Sequence, residues 1–150
     1  MFHRARHARA RRAFVRRQTR RARLRWVTVY LATDPRAFAE GYTPSTPIRR
    51  VYRFALDCSV READFDVLQR IVDASFDHEV VLGRIFAALN DMPDHGDEPL
   101  TRRWYRARRR SLSVGDVVAL GSSHYACGPV GWHPVPPPRP TTAPKVRILL

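Results

Sequence analysis

SLSVGDVVALGSSHYACGPVGW, residues 111–132, is the stretch that decides the fold. Ser113-Val114-Gly115-Asp116 has turn chemistry and leads into an apolar run, Val117-Val118-Ala119-Leu120. A Gly121-Ser122-Ser123 break follows, and then a second run over residues 124–130, so the pattern is that of a β-hairpin. Apolar residues occupy both faces of 117–120, which predicts a central place in a sheet. Gly115 supplies the positive φ of the turn and Asp116 bonds nearby amides, so this pair sets the structural turn.

Upstream, residues 26–32 (WVTVYLA) are rich in β-branched and aromatic side chains, with Val27, Val29 and Leu31 on one face of a strand. Thr33-Asp34-Pro35 breaks it, and Asp34 caps a short helical turn over 36–40 that Gly41 closes. Residues 48–58 (IRRVYRFALDC) alternate, with Tyr52, Phe54, Leu56 and Cys58 inward and Val51, Arg53, Ala55 and Asp57 outward. Ser59-Val60-Arg61-Glu62 matches a capping box that opens a helix with a stripe of Phe65, Leu68, Ile71, Val72 and Phe76. A second stripe, Val81, Leu82, Ile85, Phe86 and Leu89, makes this either one long kinked helix over 60–90 or two helices, and we favour two, with Asp77 as the second cap. The expectation is an α+β fold: a largely antiparallel sheet of about four strands, one or two helices on one face, and a C-terminal β-hairpin. It should fold without metal or cofactor.

The net charge of +13 is unevenly spread over the 150 residues. Residues 1–25 carry eleven arginines and no acid, and the remainder is almost balanced. We therefore divide the chain into a basic, disordered arm (1–25), a single α+β domain (26–133) and a Pro-rich extended tail (134–150). Lys145 is the lone lysine, a composition that points to a GC-rich genome, and the arm has a second reading as upstream sequence translated from a misassigned start. No apolar run approaches membrane-spanning length. Two cysteines, Cys58 and Cys127, fit a reduced, cytoplasmic setting better than a disulfide framework, although one bridge between them stays open.

Clustered arginines neutralise phosphates, and two runs suit contact with DNA or RNA: Arg11, Arg12, Arg16 and Arg17 in the arm, and Arg102, Arg103, Trp104, Arg106, Arg108, Arg109 and Arg110 in TRRWYRARRR (101–110). Trp104 would add base stacking. The competing reading of 101–110 is a charged connector that packs its aromatics on the sheet and offsets the acidic loop 91–100; a protein partner is the other class of ligand. His124, Cys127 and His133 lack the fourth ligand of a zinc site. As a nucleophilic pair, His124 and Cys127 fall on opposite strand faces because their separation is odd, and they are the sole candidates for a small-enzyme alternative.

RSLSVGDVVAL followed by HYACGPVGW resembles the end of the YodL-like domain family and of related small actinobacterial proteins. Leu112, Ser113, Val114, Gly115 and Asp116 hold the family's turn, and Tyr125 and Gly131-Trp132 its following strand. The resemblance covers the layout of 27–132 and about two dozen residues in motif. It implies a non-enzymatic accessory protein associated with plasmids and other mobile elements, and it transfers no catalytic residue.

Overall fold

In the computed structural model, which describes residues 24–58 and 78–140, the chain runs β1 (Leu24–Ala32), α1 (Ala37–Glu40), β2 (Ile48–Asp57), α2 (His78–Ala88), α3 (Glu98–Arg106), β3 (Val117–Leu120), β4 (Ser123–Cys127) and β5 (Trp132–Val135). The arm up to residue 23, the capping box at 59–62 with the stripe from Phe65 to Phe76, Asp77, and the tail beyond residue 140 lie outside the described residues.

All five strands pair antiparallel in the order β2-β1-β3-β4-β5, so the fold is α+β with an antiparallel sheet. β3 is central and all four of its residues are buried, as the two-faced apolar run predicts. Its two-residue connection to β4 puts Gly121 at φ +59 in the first central position, the conformation that matches the twist of a tight hairpin.

One sheet face carries the main core. Val27, Val29 and Leu31 of β1 join Phe54, Leu56, Val118 and Leu120, and Leu82, Ile85, Leu100 and Trp104 of α2 and α3 close over them. The i, i+3, i+4 spacing of Val81, Leu82, Ile85 and Leu89 puts one face of α2 on this sheet, and all four are buried. α3 is tied to the end of α2 by side chains that meet its unpaired carbonyls: Thr101 Oγ1 donates to Ala88 O (2.8 Å) and Tyr105 OH to Leu89 O (3.0 Å).

Three local expectations change. In β2 the register skips Val51, since Val29 pairs with Tyr52 but Tyr30 pairs with Arg50. This bulge reverses the alternation upstream, so Ile48 turns to the opposite face and forms a second small core with Ala32 and with Ala37 of α1. The strand expected over 124–130 ends at Cys127, because Gly128 N–H closes a turn onto Gly131 O (3.0 Å), and the chain returns as β5. Residues 134 and 135, expected in the tail, are thus strand; Pro134 lacks an N–H but lies on an edge strand, where proline is tolerated. Finally, the acidic loop, which the connector reading has the arginines of 101–110 offset, meets Arg84 of α2 through Asp97. Asp97 is 4% exposed and takes Arg84 Nε and Nη2 at 2.6 and 2.8 Å, while Arg84 Nη1 reaches Asp57 O (2.8 Å), tying α2, the start of α3 and the end of β2.

Gly115 lies at φ +89, and a Cβ there would stand 2.7 Å from Ala37 Cβ and 2.8 Å from Ala37 O. Gly115→Ala is therefore expected to cost about 2 kcal/mol or more in urea unfolding, through backbone strain and displacement of α1. Gly121→Ala, with nothing within 4 Å, should cost less, and an equal loss for both would refute the role given to the α1 contact.

Candidate nucleic-acid interface

The arginine segment is a helix followed by a connector, and the helical period divides its side chains. Leu100, Thr101 and Trp104 turn inward, which leaves Arg102, Arg103 and Arg106 on the outer face. Trp104, expected as a stacking platform, is fully buried; its Nε1–H donates to Arg110 O (3.0 Å) and its ring lies 6.2 Å from that of Tyr52. No base can reach it without unfolding the core, so Trp104 is withdrawn from the site.

Arg110 is withdrawn as well. Its Nη1 and Nη2 donate to Asp116 Oδ2 and Oδ1, each at 2.7 Å, and Nη2 also reaches Ala32 O (2.9 Å). Asp116 is wholly buried and takes two further amide donors, Ala32 N–H and Ser113 N–H, both at 2.8 Å. Arg109 is half-committed: its guanidinium carbon sits 4.5 Å from the Tyr52 ring centroid and 5.1 Å from that of Trp104, and Nη2 donates to Val51 O (3.3 Å) at the bulge. Arg108 is exposed at φ +55. Arg11, Arg12, Arg16 and Arg17 lie outside the described residues.

The contacts of Arg109 with Trp104, Tyr52 and Val51 place α3 and its connector beside the edge strand β2. That strand contributes Arg49, Arg50 and Arg53, all exposed. Together with Arg102, Arg103, Arg106 and Arg108 they make seven exposed arginines that form no ion pair among the described residues. The strand arginines were absent from the expected site. The period of RRVYR marks a strand, and only the sheet order shows that it forms an edge. On the face away from α2 and α3, Trp26 is 55% exposed and the guanidinium carbon of Arg53 lies 4.6 Å from its ring centroid.

His124 and Cys127 do fall on opposite faces. His124 meets Ser122 O and the Tyr30 ring, whereas Tyr125, two residues before Cys127, packs on the main core. Burial, followed by the nearby Asp116 carboxylate, pushes the Cys127 thiol up to about 11, and burial also raises that of Cys58. Both cysteines are free, and among the described residues no cluster of His, Cys, Asp and Glu could hold a metal. No helix among those residues is long and apolar enough to cross a membrane. No protein family, curated protein or solved structure matches the chain.

The two kinds of arginine should separate in unfolding experiments. Arg110→Gln leaves a buried carboxylate without its cation and is expected to lose about 3 kcal/mol, while Arg102→Gln on the exposed helix face stays within about 0.5 kcal/mol of the native protein. The raised Cys127 pKa predicts that its native thiol resists a disulfide reagent at pH 8 and reacts once urea unfolds the chain. It also predicts stability that is intact below pH 9 and declines toward pH 11, because the unfolded thiol ionises first.

Proposed function

We propose that the protein is a non-enzymatic nucleic-acid-binding accessory protein of the YodL-like type, serving a mobile element in a reducing, cytoplasmic setting. The observation that carries this reading is the set of exposed arginines about the β2 edge, Arg49 on the helix side of the sheet with Arg102, Arg103, Arg106 and Arg108 of α3 and its connector, and Arg50 and Arg53 on the opposite side, which form no ion pair among the described residues. Guanidinium groups held at the surface by a helix and a strand release counterions when they meet phosphates, and that gain is independent of sequence. The basic arm would add further phosphate contacts to the same ligand.

Catalysis has weaker support. His124 and Cys127 are separated by the sheet, and a thiol with a pKa near 11 supplies almost no thiolate at neutral pH.

Fluorescence anisotropy with labelled oligonucleotides across a salt series tests the proposal. The full chain should bind with log K falling linearly in log salt, and the triple variant Arg102→Gln, Arg103→Gln, Arg106→Gln should reduce that slope by about 2. Binding that ignores salt, or an unchanged slope in the triple variant, would overturn the assignment of this surface.

A further inference from the structure

The sheet face opposite α2 and α3 carries an arrangement that phosphate neutralisation leaves unexplained. Trp26 is the most prominent ring on it and is more than half exposed, although it sits on β1, a strand flanked on both sides. By register, Trp26 pairs with Ala55 and Thr28 with Arg53, so Trp26 and Arg53 are diagonal neighbours on that face, with the guanidinium carbon 4.6 Å from the indole centroid. Arg50 pairs with Tyr30 on the same side. Tyr30 in turn meets His124 of β4, their ring centroids 6.2 Å apart, about 13 Å along β1 from Trp26. Between these rings lie the half-buried Thr28 and its cross-strand partner Ala119, which is buried, and neither raises a bulky side chain. The result is a shallow aromatic strip bordered on the β2 side by arginines.

We infer that this face is a platform for single-stranded nucleic acid, on which bases stack against the Trp26–Arg53 pair while the backbone follows Arg50 and the arginines of the β2 edge. The inference rests on the nucleic-acid reading above and names the form of ligand. A duplex keeps its bases stacked on each other and cannot present a ring face to a sheet, whereas an unpaired base can. An indole and a guanidinium are both planar, and either accepts any of the bases, so stacking of this kind carries little sequence preference. Two exposed cations, Arg50 and Arg53, flank the strip, while Asp57, the other diagonal neighbour of Trp26 by register, marks its end on the side away from Tyr30. Edge protection alone would account for charges on β2 but would favour covering an exposed indole beside them.

The test uses the full chain with an oligothymidylate of about 12 nucleotides, a duplex of equal length and inorganic polyphosphate as probes. The single strand should bind more tightly than the duplex and quench tryptophan emission. Trp26→Thr, which keeps a strand-forming residue, should weaken single-strand binding about ten-fold while leaving the salt slope, the duplex and polyphosphate unaffected. Trp26→Phe should retain most of the affinity. Arg53→Gln, which leaves the flanked strand β1 untouched, should weaken the single strand more than the duplex. If Trp26→Thr and Arg53→Gln bind the single strand like the native protein, or lose duplex and single strand alike, the platform is refuted and the arginine surface stands. If the native chain binds none of the probes, both readings fall.

Discussion

The contact on which the rest of this structure depends is the buried pair between Asp116 and Arg110. A carboxylate removed from water costs several kcal/mol unless its oxygens are met, and here both are. Two guanidinium N–H groups and the amides of Ala32 and Ser113 converge on it. Those donors come from the connector after α3 and the turn into β3, both close to Asp116 in sequence, and from the end of β1, 84 residues away. The backbone adds to the tie: Asp116 O accepts from Cys127 N–H (2.8 Å) and Gly115 N–H donates to Cys127 O (2.9 Å). One residue therefore fixes where the helical layer ends, where β1 ends and how the hairpin starts. Substituting it by an apolar residue would leave Arg110 and two amides to find other partners in the same place.

Much of this was legible because it is local. The turn at 113–116, the central hairpin strand and the inward stripe of α2 follow from turn chemistry and side-chain period, and these need no knowledge of the rest of the chain. β5 was not legible, since a proline-containing stretch reads as tail unless one knows that it meets the sheet at an edge. The Val51 bulge was hidden for a similar reason. Strict alternation is the default, and the extra residue is specified by the need to place Ile48 against α1.

The candidate site shows the same division more sharply. Arg102 and Arg110 are identical letters in one charged run. The helix period marks Arg102 as outward, but nothing within the run distinguishes Arg110, whose partner lies in the next turn and is buried only once the sheet has formed. Trp104 and Trp26 divide for a related reason. An aromatic among arginines suggests stacking, and an aromatic at the head of an apolar strand suggests core, yet helix phase buries Trp104 and strand parity exposes Trp26. Parity was in fact readable, because Val27, Val29 and Leu31 had already claimed the inner face.

A segment rich in arginine can thus serve two physically opposite purposes within ten residues. Toward its end, the half-buried Arg109 and Arg110 are spent on rings, a backbone carbonyl and a carboxylate, and they hold the layers together. Along the outer face of α3 the same residue type keeps its charge in water, where it contributes little to stability. Helix electrostatics accounts for part of that charge, since Arg103 and Arg106 stand in the last turn, where the helix dipole favours cations, and Arg102 acts on Glu98 one turn earlier. That the exposed set shares its sign with Arg49, Arg50 and Arg53, instead of opposing it, raises the repulsion along this edge. Phosphates brought to it would relieve that repulsion, which is what the proposed binding requires.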